Sequence, residues 1–238
     1  MTSVVISQPM YFPWAGLLGQ MAMADSFIWL DDAQFSKGSF TNRVQVRTKA
    51  ASAWLTIPLV GKGAFQKICD LSAADPAWRA SHHATLEREL AALPHLGDAL
   101  TLFDSGTDHE RLADAIIGSA EVMAEYMGVL PDSVMRSSDM SVEGSSSERV
   151  LALVKSVGGT RYVTGHGASN YLDHELFERA GVEVQYMTYD VPPWPQAHEG
   201  FTPFVTALDL IASVGPDARL HLPRSTVDWR TFVTDRSE

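Results

Sequence analysis

The chain has 238 residues, of which 45% are hydrophobic, and this length suits one large domain or two small ones with a sizeable buried core. A formal net charge of -11 argues against general nucleic-acid binding, which depends on many Lys and Arg side chains neutralising phosphates. No apolar run is long enough to span a membrane, and the single cysteine, Cys69, excludes an intrachain disulfide and a Cys-based zinc site within one chain.

The first elements predict a parallel βαβ unit. Residues 3–7 indicate a buried strand, residues 16–24 a short helix, and residues 26–32 (SFIWLDD) a second apolar strand that ends in carboxylates. The sequence AMA at 22–24 is similar to a signal-cleavage site, but no basic segment precedes it and prolines interrupt the apolar stretch. We therefore expect a cytoplasmic protein.

An antiparallel extension and a helical insertion follow in the prediction. The extension consists of three strand-like runs, the last two separated by the turn GKGAF: residues 42–48, 53–61 and 66–72. The insertion covers about 75–130, with a first helix capped by Asp75 and stopped by Pro94, and a second from about Asp108 to Tyr126.

The last third repeats a β-α-β order, which favours parallel pairing. Ser145 and Glu148 have the spacing of a capping box at the start of a helix. The later elements are a strand, a helix, a strand and a final helix, at residues 160–165, 173–181, 182–190 and 205–213. The prediction is one α/β domain over residues 1–225, an open sheet with a central helical insertion, and a C-terminal tail over 226–238.

The segment SQPMYFPWAG, residues 7–16, is predicted to form the wall of a ligand site. Its two prolines and three aromatic residues do not suit a strand or helix interior. Ligands of open α/β sheets bind beyond the carboxyl ends of the parallel strands, where this segment begins. Gln8 offers a donor and an acceptor, and Tyr11 and Trp14 offer stacking faces. The alternative is that the aromatic side chains only cover the end of the sheet.

Asp31 and Asp32 end the second predicted strand at the same edge. Successive side chains of a strand point to opposite faces, so one of the two is expected to face the ligand. A carboxylate there can act as a general base or hold an ammonium group. The alternative is two acids that end a strand in water.

A basic segment lies between Ala33 and Cys69, where the sequence has no Asp or Glu. Such a segment attracts a phosphate group or an acidic partner, or else it protects an edge hairpin from aggregation. Its cationic residues are Lys37, Arg43, Arg47, Lys49, Lys62 and Lys67.

The histidines and the cysteine are the remaining candidates for chemistry. His82 lies on an apolar helical stripe, whereas His166 and His198 occupy loops that are better placed for catalysis. Cys69, with His198 or His82 as its partner, could carry an acyl group as a thioester, but it falls in an apparent strand beside Asp70. No His or carboxylate spacing indicates a metal site.

Several separated stretches resemble the WbqC-like proteins. They are QPMYFPWAGLLGQM, ADSFIWLDDAQFSKGSFTNRVQV, WLTIPL, AWRASHH, RYVTGHGASNYLD and PQAHEGFTPFVTALDL, and together they span nearly the whole chain. Many members have a His where this chain has Ser7, so any role of that His is absent or has moved.

The resemblance implies an amide-forming transferase of O-antigen, amino-sugar or antibiotic biosynthesis. An acyl or aminoacyl thioester on the phosphopantetheine arm of an acidic carrier protein would be attacked by a small-molecule amine, with no tightly bound cofactor. Asp31 or Asp32 would act on the amine, Gln8 and Asn42 on the carbonyl oxygen, and Arg43 on a phosphate. The matching stretches also carry three further expected substrate-binding residues: Gln34, His166 and Gln196.

Two other functions stay open at this stage. A nucleotidylyltransferase-like enzyme fits the strand, loop and short helix at the start of the chain, although the paired-His phosphate motif is missing. A non-catalytic module that binds an acidic carrier or a sugar nucleotide would need the basic segment but neither Asp31 nor Asp32. Within the transferase hypothesis we favour direct attack on the carrier thioester, because Cys69 lacks electropositive neighbours.

Overall fold

A mostly parallel six-stranded sheet organises the chain in the computed structural model, which describes residues 1–61 and 65–235. The predicted turn residues 62–64, with Lys62, and residues 236–238 lie outside the described residues. In chain order the strands are β1 (Ser3–Ser7), β2 (Ser26–Trp29), β3 (Arg43–Arg47), β4 (Ser52–Thr56), β5 (Ser133–Arg136), β6 (Arg161–Thr164), β7 (Glu183–Thr188) and β8 (Ser225–Asp228).

The α-helices connect these strands. They are α1 (Ala15–Met21), α2 (Trp78–Glu89), α3 (Leu96–Thr107), α4 (Leu112–Tyr126), α5 (Ser146–Ser156), α6 (His174–Arg179), α7 (Ala207–Val214) and α8 (Trp229–Asp235). Short 3-10 helices cover Ile68–Asp70, Ser137–Asp139, His166–Asn170 and Gly215–His221.

The strand order in the main sheet is β5-β2-β1-β6-β7-β8, with every neighbouring pair parallel except β7 and β8. The chain moves from β1 outward to β2 and β5 on one side and then crosses to β6 on the other side. The strand order therefore reverses between β1 and β6, where open α/β sheets bind ligands. The predicted α/β class and the parallel βαβ unit are confirmed.

The two faces of the sheet carry separate apolar cores, as alternation along parallel strands requires. On one face Val5 and Val163 pack with α1, α4 and the helical insertion. On the other face Val4 and Tyr162 pack with α5 and α6. Both faces are covered, so the central strands are buried and the chemistry is confined to the ends of the sheet.

The predicted antiparallel pairing is confirmed for the first two runs of the extension and wrong for the third. β3 and β4 form their own two-stranded sheet, and the third run turns into the 3-10 helix Ile68–Asp70. Cys69 therefore lies in this 3-10 helix and not in a strand. The reason is a competing bond: the Cys69 amide donates to the carbonyl oxygen of Asp31 at 2.7 Å, so it does not join a ladder with β4.

The insertion and the C-terminal segment also differ from the prediction. α2 to α4 lie between β4 and β5 as expected, but α3 and the strand β5 were not predicted. Ser145 is the N-cap of α5 without a side-chain capping bond. Residues 225–228 pair with β7 and residues 229–235 form α8, so the predicted tail is part of the sheet and its cover. Burial of Phe232 explains why this segment packs onto the sheet.

The loop between β1 and α1 is fastened to the insertion by buried polar contacts. Tyr11 Oη lies 2.9 Å from His82 Nδ1, and the Phe12 amide donates to Ser119 Oγ at 2.8 Å. The Phe12 ring stacks on Phe103 with centroids 5.2 Å apart. Phe12 has a φ of 38°, a left-handed conformation that costs about 1–2 kcal/mol for a non-glycine residue. These contacts hold the loop in that conformation.

The environment of His82 leads to a pH prediction. Burial lowers the pKa of His82 to about 4, against 6.5 for a free imidazole, so the folded protein keeps the neutral ring. Protonation then favours the unfolded chain, and stability falls as the pH drops from 6.5 towards 4. We expect the stability advantage of wild type over His82→Asn to shrink by about 3 kcal/mol across this window. Urea unfolding at several pH values measures it, and a difference that does not change with pH would contradict it.

Candidate functional site at the strand-order reversal

A cavity of about 630 Å³ opens at the carboxyl ends of β1 and β6. The end of β1, the following loop and α1 form one side, and the segment after β6 forms another. This is the place where the strand order reverses, so the fold itself locates the candidate site. Its lining includes Ser7, Gln8, Met10, Pro13, Trp14, Leu17, Gln20, Thr164, Gly165 and His166.

Within residues 1–61 and 65–235, no Asp, Glu, Lys or Arg side chain lines the cavity, and most lining side chains are apolar or aromatic. The remaining apolar members are Ile6, Leu30, Phe40, Val44, Val150, Ala168 and Phe204, and the phenols are Tyr11, Tyr162, Tyr171 and Tyr189. A charged ligand group placed there would lose its hydration without an ionic partner.

Trp14 forms part of an aromatic wall. Its ring lies 4.9 Å from Tyr189 and 5.6 Å from Phe204, measured between centroids. Trp14 folds back over the start of α1, where a Cβ at Gly16 would come within 2.2 Å of the indole. The glycine in PWAG is therefore needed for this position of Trp14. Trp14 lines the cavity, and its role as a stacking face for a ligand stays a prediction.

His166 lines the cavity immediately after β6. Its Nε2 lies 2.8 Å from the backbone oxygen of Met187, and because a carbonyl oxygen only accepts, Nε2 carries the proton. Nδ1 is then the basic nitrogen of the neutral ring. The ring packs against Tyr189 and Phe232 at 4.9 and 4.7 Å, so its orientation is fixed from two sides. The arrangement suits proton transfer in the cavity.

Gln20 and Tyr189 form a polar pair that the sequence did not indicate. Gln20 is buried in α1, and its Nε2 donates to Tyr189 Oη at 2.5 Å. A Cβ at Gly165 would lie 2.7 Å from Tyr189 Oη, so only glycine leaves room for the phenol. Burial raises the pKa of Tyr189 to about 12, against a smaller opposite effect from Gln20, and the phenol stays protonated. The only sequence signal was that Gln20 lies within the stretch QPMYFPWAGLLGQM, residues 8–21.

Asp31 and Asp32 do not line the cavity, contrary to the expectation that one of them faces the ligand. Asp31 is fully buried and accepts from Ser138 N at 3.0 Å and Ser138 Oγ at 2.7 Å. Asp32 accepts from Ser137 Oγ at 2.6 Å and pairs with Arg149. Burial alone would raise the pKa of Asp32, but the bonds from Arg149 and Ser137 lower it below its usual value. The two carboxylates join the ends of β2 and β5.

The structure brings no histidine to Cys69. Its Sγ lies 3.9 Å from Asp70 Oδ1, and burial together with the neighbouring carboxylate raises the pKa of the thiol. His82 bonds to Tyr11, and His198 Nε2 lies 3.1 Å from Glu89 Oε2. The expected Cys-His pair is therefore absent among the described residues, and a raised thiol pKa disfavours a nucleophilic thiolate.

The other expected substrate-binding residues lie outside the cavity lining. Asn42 Nδ2 donates to the Ile57 carbonyl at 2.8 Å, and Gln196 makes two hydrogen bonds with the backbone of Thr202. Gln34 forms an isolated bridge with Lys67. Arg43 donates to the Gly38 carbonyl and covers the Trp54 ring at 4.1 Å. The side chains of Asn42, Gln196 and Arg43 therefore have partners within the protein, and the Gln34 bridge is a contact between backbones.

No group of three or more His, Cys, Asp or Glu side chains in residues 1–61 and 65–235 is arranged to hold a metal ion. None of the described helices combines the length and apolar character needed to cross a membrane.

The chain is similar to a known family over most of its length. A family model described as the WbqC-like protein family matches residues 8–221, which include Gln8, His166 and Tyr189. Among curated proteins, an uncharacterized protein of Mycobacterium tuberculosis is 30% identical over 223 residues, covering 92% of this chain and 96% of that protein. No solved structure matches the chain.

Asp31→Asn is expected to destabilise the fold. The new amide group would direct hydrogens at donors of Ser138, and a lost buried bond to a charged acceptor costs about 2–3 kcal/mol. Asp139→Asn is the matched control, because Asp139 is exposed and lies in the 3-10 helix Ser137–Asp139, which also contains Ser138. Chemical denaturation compares the two variants. Equal stabilities would show that the carboxylate of Asp31 does not hold the ends of β2 and β5 together.

Gly165→Ala is expected to disturb the Gln20–Tyr189 pair. The added methyl group meets Tyr189 Oη at 2.7 Å, whereas a Cβ at Gly167 in the same segment meets nothing within 4 Å. We expect Gly165→Ala to lower the free energy of unfolding by about 1–3 kcal/mol and Gly167→Ala to change it little. Thermal unfolding and the chemical shift of the Gln20 side-chain amide measure the effect. An unshifted amide in Gly165→Ala would refute the assigned contact.

Proposed function

The chain belongs to the WbqC-like protein family, and from this membership and the cavity we propose that it is a biosynthetic amide-forming transferase. It would move an acyl or aminoacyl group from a carrier-protein thioester to the amine of an amino-sugar-like acceptor. The observation that supports this most is the position of His166, an oriented imidazole in a cavity without charged side chains, at the reversal of strand order. An amine nucleophile needs a base of this kind.

The reaction forms one bond and breaks one bond at the carbonyl carbon. The amine nitrogen attacks the thioester carbonyl, and Nδ1 of His166 accepts the proton that the nitrogen loses. The carbon–sulfur bond then breaks, and the same proton passes to the departing sulfur, which leaves as the free thiol of the carrier arm. The products are an amide and a thiol, so atoms and charges balance without a cofactor or a covalent enzyme intermediate. The raised pKa of Cys69 supports this direct route.

The β3–β4 hairpin supports a carrier-docking role for the basic segment. Phe40 and Val44 line the cavity, so the hairpin forms part of its rim. Lys37 and Lys49 are exposed, and no ion pair within the described residues engages either of them. These ammonium groups would attract an acidic carrier and place its arm at the opening.

A non-catalytic binding module is the alternative that the same features support. It would also use an apolar cavity with exposed lysines beside it, and it would need no base. A nucleotidylyltransferase is less well supported, because none of the described Lys or Arg side chains lines the cavity to receive a triphosphate. The transferase and the binding module differ in one measurable respect, which is turnover.

The first test concerns His166. In His166→Gln the side-chain amide can still donate to the Met187 carbonyl but cannot accept a proton, so folding is kept and the base is lost. With an aminoacyl- or acyl-loaded carrier and an amine acceptor, we expect amide formation to fall about a hundredfold or more. Intact-mass analysis of carrier, enzyme and product measures it.

The matched control is His83→Gln, because the partly buried His83 on α2 lies outside the cavity and its Nε2 is 3.6 Å from Asp104. It should retain wild-type turnover. Full activity in folded His166→Gln would exclude His166 as the base. Carrier binding by wild type without any amide product would favour the binding module.

The second test concerns docking. Reversing Lys37 and Lys49 to Glu should weaken carrier binding at low salt about tenfold or more and have less effect at high salt, because screening removes the attraction. Lys155→Glu with Arg219→Glu makes the same change in net charge away from the hairpin and should have little effect. Titration calorimetry at two ionic strengths measures both variants. Equal weakening by the two pairs would assign the effect to net charge alone.

A further inference from the structure

The phenol of Tyr189 has a hydrogen to offer the cavity. Gln20 Nε2 is a donor, so in their 2.5 Å bond the phenol oxygen is the acceptor. Within the described part of the chain, the hydroxyl proton of Tyr189 has no hydrogen-bond acceptor. The phenol faces Gly165, which contributes no side chain between the hydroxyl and the cavity that both residues line. The Tyr189 hydroxyl is thus a hydrogen-bond donor that Gln20 holds in position in a mostly apolar cavity wall.

The rest of the cavity restricts the ligand. Among the lining residues that the structure describes, a carboxylate or phosphate would find no Lys or Arg, and an ammonium would find no Asp or Glu. An aromatic cage for a cation needs rings that face one another across it. Here the Trp14 ring contacts both Tyr189 and Phe204, with centroids 4.9 and 5.6 Å away, so the three rings adjoin instead of facing one another across a gap. Such a surface suits an apolar chain or ring.

We infer that the cavity binds an uncharged apolar or aromatic acyl group whose carbonyl oxygen accepts the hydrogen bond of Tyr189 Oη. The inference rests on the proposed function and narrows its donor, since it selects an acyl group over an aminoacyl group with a free ammonium inside the cavity. In the transfer reaction the same hydroxyl stabilises the negative charge that develops on this oxygen when the amine attacks. Gln20 is the positioning residue that fixes the phenol.

Binding of three small molecules of similar shape tests the ligand class without any transfer reaction. The probes are 4-phenylbutanamide, 4-phenylbutanoate and 4-phenylbutylamine, which present an uncharged carbonyl, an anion and a cation on the same apolar group. With the full chain at neutral pH we expect the amide to bind about tenfold or more tighter than either charged probe, because burying a charge without a partner is costly. Protein-observed NMR titration locates and measures the binding.

Tyr189→Phe tests the hydroxyl. It should weaken binding of the amide about fivefold to tenfold, the scale of one hydrogen bond, and leave the amine probe unchanged. Tyr126→Phe is the matched control, because Tyr126 donates to Asp98 outside the cavity. Equal affinities for the three probes, no detectable binding of the amide, or an unchanged affinity in Tyr189→Phe would each overturn the inference.

These outcomes separate the inference from the proposed function. If the amide binds as described and no carrier-to-amine transfer occurs, the transferase proposal fails and the inferred ligand class stands. If transfer occurs and the amide does not bind, the transferase stands and the inferred ligand class fails.

Discussion

The buried contact between Tyr11 and His82 fixes the loop on which the cavity depends. It joins the first loop of the α/β sheet to the helical insertion through a 2.9 Å hydrogen bond, and the Phe12 amide adds a second bond to Ser119. These contacts hold a left-handed residue and two prolines in one conformation. The same loop then directs Trp14 into the cavity. The insertion therefore supports the site through the loop.

The charges of the chain are kept away from the cavity by tertiary contacts. Asp31 and Asp32 are held by serines and Arg149 at the ends of β2 and β5. Arg43 and Arg47 donate to backbone carbonyls of neighbouring loops. The described residues leave one imidazole, a few hydroxyl and amide groups, and apolar surface in the cavity. This separation favours chemistry on an uncharged carbonyl, since fixed dipoles act strongly where water and ions are excluded.

The hairpin and the long loop after β7 complete the rim through the backbone. The Thr206 amide donates to the Gln45 carbonyl at 2.8 Å, and the Ala207 amide donates to the Pro13 carbonyl at 2.9 Å. Below them Trp194 Nε1 donates to Asp209 at 2.6 Å, and burial raises the pKa of Asp209 to about 6. Backbone hydrogen bonds therefore join the hairpin and the start of α7 to the opening loop. This gives the rim a defined shape without charged side chains in the cavity.

The sequence alone determined the elements whose signals are local. The apolar runs of β1, β2, β6 and β7 and the helices between them follow from periodicity and turn residues, and the family follows from stretches such as QPMYFPWAG. The sequence also indicated that the opening loop and His166 lie near a ligand site, because both follow parallel strands. β5, β8 and α3 lacked such signals, since short strands and helices are stabilised by their neighbours more than by their own residues.

Only the tertiary structure decided which polar side chains share the cavity. Asp31, Asp32 and Cys69 have the residue types of catalytic groups, but hydrogen bonds formed across the fold fix the two carboxylates elsewhere and leave the thiol without a histidine. Gln20 and Tyr189 are 169 residues apart and gave no joint signal, yet the packing of α1 against the end of β7 makes them one donor pair. The physical reason is that residue type limits the chemistry a side chain can perform, whereas burial and partners decide whether it is free to perform it.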